Sequence, residues 1–296
     1  MHQLAIALSG KGYQITGSDD EIFEPAKSNL EKQGILPAKI GWFPEKIHPD
    51  LDAVILGMHA KEDNPELQFA RTLNLKIYSF PEYIYQESKN KKRVVVGGSH
   101  GKTTTTSMIM HVLKGSGLPF DYMVGAKLPG FEYSVSITDA PLIICEGDEY
   151  PASALEKRPK FHFLFPHIAV LTGIAWDHIN VFPTYSFYLD QFRVFIGMIE
   201  ADGLLIFNSL DESLKKLIEH NPPAGIRIAP YKIPSHSVQD GTTMVELDGK
   251  KQSLSVFGDH NLMNLQAAWL VCNELGISTD IFSGADCRFY GGFKEA

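Results

Sequence analysis

The sequence predicts an α/β protein built on parallel strands, and two observations carry that expectation, while a third bounds the number of domains. Runs such as Val94-Val-Val96, Leu142-Ile-Ile-Cys145 and Ile168-Ala-Val-Leu171 are apolar at every position, as strands covered on both faces require. Segments with apolar residues at helical spacing alternate with them, the pattern of crossover connections between parallel strands. At 296 residues the chain is long for one domain and comfortable for two.

Taken in order, residues 2 to 11 place Leu4, Ile6, Ala7 and Leu8 on a short helix that Gly12 ends. Tyr13-Gln-Ile-Thr16 then reads as a strand stopping at Gly17-Ser-Asp-Asp20. Leu51 to Gly57 is a second strand, and Leu75 to Ser79 a third. Between them Asn64-Pro-Glu-Leu67 opens a helix, with Asn as cap and Pro at the first position. This is a Rossmann-like unit over residues 1–89. It opens inside a helix, so its first strand, with the glycine-rich turn that follows such a strand, is expected to be missing. The basic run Lys89-Asn-Lys-Lys-Arg93 reads as a solvated connection to a second domain over residues 90–285.

The second domain opens on the most informative stretch of the chain, Arg93-Val-Val-Val-Gly-Gly-Ser-His-Gly-Lys-Thr-Thr-Thr-Thr106. It reads as a buried strand, a glycine-rich turn and the start of a helix whose apolar residues are Met108, Ile109, Val112 and Leu113. Glycines at 98 and 101 let backbone N–H groups turn towards an anion, and the helix N-terminus adds partial positive charge. The loop from Gly98 through Ser99, His100, Gly101, Lys102, Thr103 and Thr104 is therefore a candidate phosphate cradle of a P-loop ATPase-type domain. Lys102 suits the β- and γ-phosphates, and the Thr103 hydroxyl suits Mg²⁺. Val96 stands where the commoner loop has its first glycine, leaving the shorter pattern G-x-x-G-K-T.

Further strands are expected at Leu142–Glu146, Ile168–Thr172 and Leu204–Asn208, with a helix from Tyr185 to Ile199. Met244–Leu247 and Leu254–Phe257 read as a small β hairpin around Asp248-Gly249, and Leu262–Leu275 as a final helix. A magnesium nucleotide needs carboxylates at strand ends beside the loop. Glu146-Gly-Asp-Glu149 and Trp176-Asp-His178 both follow apolar strands.

These motifs, with Gly258-Asp-His-Asn-Leu-Met-Asn264 opening the late helix, resemble the Mur ligases, ATP-dependent amide ligases of peptidoglycan synthesis. The resemblance implies ATP and Mg²⁺, with Lys102, Glu146 and His178 as catalytic residues and Thr103, Glu146 and His178 as metal ligands. It casts His260, Asn261 and Asn264 as adenine contacts; on their own, the two asparagines read equally as helix caps. His100 resembles the branches that accept UDP-N-acetylmuramate itself, and the chain has no lysine from 161 to 214 to serve as the carbamylated lysine of other branches. Asp148-Glu-Tyr-Pro-Ala-Ser-Ala-Leu-Glu-Lys-Arg-Pro-Lys-Phe161 is similar to the corresponding stretch of the murein peptide ligase branch. That branch attaches the tripeptide L-Ala-γ-D-Glu-meso-diaminopimelate through an acyl phosphate, in cell-wall recycling. The alternatives are an L-alanine-adding ligase, or a nucleotide-binding fragment without turnover. Pro151, Gly173 and Asn180 depart from the family's usual Asp, Asn and Asp.

The resemblance also assigns the UDP moiety to the N-terminal unit, where Ser18, Asp19 and Asn64, with His100 of the loop, are candidate substrate contacts. It makes residues 286–296 a linker or the start of a C-terminal domain that is otherwise absent. A net charge of −8, with acids and bases mixed, argues against a nucleic-acid binder. Cys145, Cys272 and Cys287 are widely spaced, and no stretch has the length and apolarity of a membrane span, so a cytoplasmic protein without membrane insertion is expected.

Overall fold

The structure, a computed structural model, describes residues 1–176, 180–239, 242–254 and 258–285. The chain begins with helices α1 (His2–Gly10) and α2 (Ala26–Lys32). Strand β1 (Val54–Leu56), helix α3 (Pro65–Thr72), strand β2 (Ile77–Ser79) and helix α4 (Phe80–Ser88) follow. β1 and β2 pair in parallel across the α3 crossover. Asn64 caps α3 by accepting from the Leu67 amide at 3.0 Å, with Pro65 in the first turn. Ser79 and Glu82 close α4 with a capping box.

The expected strand at Tyr13–Thr16 does not form. The Tyr13 amide donates to the Leu8 carbonyl and finishes α1, its phenol reaches Glu87, and β1 pairs with β2 alone. A strand needs a ladder partner, and this segment has none until the single bridge between Asp19 and Gly41.

The larger body runs through β3 (Lys92–Gly97), α5 (Lys102–Ser116), β4 (Asp121–Met123), β5 (Val135–Ser136), β6 (Leu142–Glu146) and β7 (Ile168–Leu171). It continues through α6 (Tyr185–Ile196), β8 (Leu204–Asn208), α7 (Glu212–His220) and β9 (Arg227–Tyr231). These strands form one seven-stranded sheet in the order β5-β4-β6-β3-β7-β8-β9, parallel except for the β4–β5 edge. Its two faces explain the continuous apolar runs. Val94, Val96, Ile144, Ile168 and Val170 join Met108, Ile109, Val112, Leu265 and Val271 in one core. Val95, Ile143, Ala169 and Leu171 join Leu4, Ile84, Tyr188, Phe192 and Phe195 in the other. Each strand alternates between cores because successive side chains point to opposite faces.

A three-stranded antiparallel sheet follows, β10 (His236–Gln239), β11 (Thr242–Leu247) and β12 (Lys250–Leu254), then helices α8 (Asp259–Glu274) and α9 (Thr279–Gly284). The turn at Asp248-Gly249 is as expected, but its second strand starts at Lys250, four residues before the expected Leu254. Asp248 and Gly249 both have positive φ, 52° and 70°, so the turn holds two residues only and Leu247 must face Lys250.

The basic run that leads into β3 is not solvated at Lys91, just before the strand, or at Arg93, within it. Lys91 is buried against Asp121 at 2.5 Å, and Arg93 is 2% exposed. Arg93 donates to the carbonyls of Phe165, Ser88 and Lys89 and pairs with Glu200 at 2.6 Å. Its five donors suit it to gather the carbonyls at the end of α4. Among the described residues no helix is long and apolar enough to cross a membrane.

Candidate active site

β3 lies between β6 and β7, so the ends of both neighbours meet the turn that follows Gly97. The register pairs Val96 with Glu146 and Gly97 with Leu171, which sets the Glu146 carboxylate and Thr172 on either side of the loop. Gly98 and Gly101 have φ of 128° and 81°. A β-carbon at Gly98 would overlap the Thr172 hydroxyl and stand 3.0 Å from the Gly173 carbonyl oxygen; one at Gly101 would overlap the Asn264 carboxamide. Gly98 therefore needs glycine for space as well as for conformation, whereas at Gly101 the left-handed conformation decides and the Asn264 carboxamide would have to turn aside.

The loop is tied down from the β7 side. The Ser99 amide donates to the Gly173 carbonyl at 2.9 Å, and the Thr172 hydroxyl donates to the His100 carbonyl. The Ser99 hydroxyl accepts from the Ala175 amide at 2.8 Å and lies 2.9 Å from the Tyr188 phenol. His100 is exposed at the tip. Lys102 opens α5 and folds back over the loop, donating to the Gly98 carbonyl at 2.5 Å and to Glu149 Oε2 at 2.9 Å.

Thr103 and Glu146 meet directly: the hydroxyl donates to Glu146 Oε1 at 2.9 Å, and Oε2 accepts from the Gly125 amide at 3.1 Å. Two adjacent oxygen donors on the half-buried ends of α5 and β6 fit a hard cation such as Mg²⁺, which takes one or two protein oxygens and fills its other positions with water and phosphate. Among the described residues no group of three or more His, Cys, Asp and Glu side chains is set to hold a metal alone. Thr104 is half-buried on the first turn of α5.

Asn264, on α8, accepts from the Thr105 hydroxyl at 3.2 Å, so its carboxamide is held against the loop and the first turn of α5. His260 and Asn261 are exposed on the first turn of α8. His178 lies outside the described residues, as do Cys287 and the stretch 286–296. Ser18, Asp19 and Asn64 make their side-chain hydrogen bonds within residues 17–67. Ser18 Oγ accepts from Lys46, Asp19 from the Asp20 amide, and Asn64 is the α3 cap. The structure thus gathers Gly98, Ser99, Gly101, Lys102, Thr103, Glu146 and Asn264 at one place and leaves those three in the N-terminal unit.

Sequence reasoning did not assign roles to Thr172, Glu149 and Tyr188. Glu149 is 2% exposed, between Lys102 and the Tyr188 phenol at 3.5 Å. Its position in Glu146-Gly-Asp-Glu149 was the available signal. Tyr188 carries no such signal, because on an aromatic helix face it reads as core, which most of its ring is.

Residues 96–272 match the model of the Mur ligase middle domain. The chain is 30% identical over 304 residues to a UDP-N-acetylmuramate--L-alanine ligase of Arthrobacter sp., covering 100% of this chain and 63% of that one. It is 32% identical over 221 residues to the UDP-N-acetylmuramate--L-alanyl-gamma-D-glutamyl-meso-2,6-diaminoheptandioate ligase of Haemophilus influenzae, covering 74% of this chain and 48% of that one. The chain thus spans less than two thirds of the length of these curated relatives. The crystal structure of the tripeptide ligase from Neisseria meningitides superposes with a TM-score of 0.85 at 25% identity, covering 98% of this chain and 94% of that chain.

Proposed function

The chain belongs to the Mur ligase family, and from that premise we propose that the full-length protein joins the tripeptide L-Ala-γ-D-Glu-meso-diaminopimelate to UDP-N-acetylmuramate at the expense of ATP. Mur ligases are ATP-dependent enzymes that form amide bonds. The observation that carries the reading is the convergence of the Gly98–Lys102 loop with the Thr103–Glu146 pair at 2.9 Å. That geometry suits a polyphosphate with a divalent cation, and little else among common ligands matches both parts.

In this reading the loop amides and Lys102 hold the phosphates of ATP, Thr103 and Glu146 hold Mg²⁺, and His178 supports a second cation. Mg²⁺ supplies charge neutralisation at the transferring phosphoryl group. The lactyl carboxylate of UDP-N-acetylmuramate attacks the γ-phosphorus and ADP leaves, giving an acyl phosphate. The incoming amine attacks the acyl carbon, inorganic phosphate leaves and the amine nitrogen loses a proton. The protein's work is positioning and charge stabilisation, since phosphorylation itself supplies the leaving group. Residues 1–89 serve as the UDP-substrate unit, with Ser18, Asp19 and Asn64 as contacts, and 90–285 as the ATP unit. His260 and Asn261 at the open end of α8 receive the adenine, beside Asn264. The reaction belongs in the cytoplasm, where its nucleotides are.

The tripeptide is favoured by Tyr150, where L-alanine-adding enzymes usually carry serine, and by likeness to the Haemophilus and Neisseria tripeptide ligases. Similarity over the whole chain to the Arthrobacter L-alanine ligase supports the second reading, addition of L-alanine. The test is ADP release by the full-length protein with UDP-N-acetylmuramate and either acceptor. Release with the tripeptide, abolished by Lys102→Met, is the expected result; release with L-alanine alone overturns the substrate, and none with either overturns the ligase.

A further inference from the structure

We propose that Glu149, braced by Tyr188, is a positioning residue that aims the Lys102 ammonium, so that its loss lowers turnover while tightening nucleotide binding. This rests on the ligase reading above. An ammonium has three N–H donors and no acceptor. Two are committed here, one to the Gly98 carbonyl at 2.5 Å and one to Glu149 Oε2 at 2.9 Å, which leaves one direction for an incoming anion. The lysine stem is otherwise the most freely rotating of side chains, and these two bonds select its conformer before nucleotide arrives.

Glu149 is suited to the task by its surroundings. At 2% exposure its carboxylate calls for compensation, and Lys102, itself 15% exposed, is a cation that supplies it. The Tyr188 phenol stands 3.5 Å from Oε1 and 2.9 Å from Ser99 Oγ, so one buried phenol touches both the Glu149 carboxylate and the loop. Tyr188 is fully buried between Phe182 and Phe192, which fixes its ring. The network therefore joins the loop at Ser99 and Lys102 through rigid parts. Glu149 also neutralises part of the charge that Lys102 presents to phosphate. Glutamine keeps the shape but frees the full positive charge and loosens its direction.

The experiment combines steady-state kinetics with ATP binding by calorimetry on the full-length protein, for wild type, Glu149→Gln, Lys102→Met and the double variant. Glu149→Gln is expected to lower kcat about 100-fold, the scale of a misplaced catalytic group. Its ATP dissociation constant is expected to fall roughly tenfold, since the carboxylate that competes with phosphate for the Lys102 ammonium is removed. In the Lys102→Met background the same change should alter ATP affinity less than about twofold, because no ammonium is left for Glu149 to hold. Tyr188→Phe should lower kcat roughly tenfold. A merely structural Glu149 predicts the opposite sign, weaker ATP binding in both backgrounds, and that result overturns the proposal. Unchanged kcat in Glu149→Gln overturns it equally. If wild type shows no ligation at all, the ligase reading fails, and the four binding constants still decide whether Glu149 acts through Lys102.

Discussion

Replacing Gly98 by alanine tests whether the loop's shape, rather than its composition, makes the site. Two costs can be worked from the structure. A φ of 128° is a conformation that residues with a β-carbon rarely adopt, which costs about 1–3 kcal/mol. The new β-carbon would also overlap the Thr172 hydroxyl and sit 3.0 Å from the Thr172 amide nitrogen and the Gly173 carbonyl oxygen. The hydroxyl can turn away only by giving up its bond to the His100 carbonyl, and the backbone atoms belong to the segment leaving β7. Overpacking of this kind costs about 1–3 kcal/mol, for a combined loss near 4 kcal/mol. For a cooperative unit of about 200 residues that lowers Tm by roughly 8–16 °C. Gly117 is the internal control: its φ is also positive, 75°, but no atom lies within 4 Å of an added β-carbon. Gly117→Ala should therefore lower Tm by only about 2–8 °C, through the roughly 1–2 kcal/mol of a left-handed residue alone. Calorimetric melting of the two variants beside wild type, with ATP titration of each, is the assay. ATP binding should be lost in Gly98→Ala and retained in Gly117→Ala. Equal melting temperatures for the two, or intact ATP binding in Gly98→Ala, would refute the claim that the loop is a close-fitted cradle.

Glu146→Gln should lower Mg-dependent turnover by about 100-fold with little change in Tm, since the amide oxygen can accept from the Gly125 amide while its NH2 donates to the Thr103 hydroxyl, but no anionic oxygen is left for a cation. Breaking the buried Lys91–Asp121 pair by Asp121→Ala should cost about 3–5 kcal/mol in urea denaturation, because an ammonium 8% exposed is left uncompensated. Burial pushes the imidazoles of His162 and His167 below the usual range, with Arg93 adding to the effect at His167. The unfolded chain then binds more protons, so stability is fully present above about pH 6.5 and falls as pH drops through the ordinary histidine range towards the lowered folded values. His162→Gln should flatten the urea midpoint between pH 7 and 5.5. Burial also pushes the Cys145 thiol up to about 12, so it should stay unreactive to a thiol reagent until the protein unfolds.

Much of the site's first layer could be read along the chain because it is local. Val94 to Thr103 carries its strand, its two positive-φ glycines and its helix start within ten residues, and those preferences need no distant partner. The same holds for the Asn64 cap and the Asp248-Gly249 turn. Tyr13–Thr16 was misread because strand propensity does not create a ladder partner. Lys91 and Arg93 were misread because charge along a sequence does not reveal an Asp121 or a Glu200 waiting in space.

What the sequence determined by itself, then, is that a strand would end in a glycine turn able to meet an anion. Tertiary structure decided which strands flank it, and so which side chains share its mouth. β3 pairs with β6 and β7, which brings Glu146 to Thr103 and Thr172 to the loop. α5 and α8 share one core, which brings Asn264 to Thr105. Glu149 reaches Lys102 across 47 positions. Such meetings depend on pairing and packing between distant segments, whose free energy belongs to no single stretch of chain.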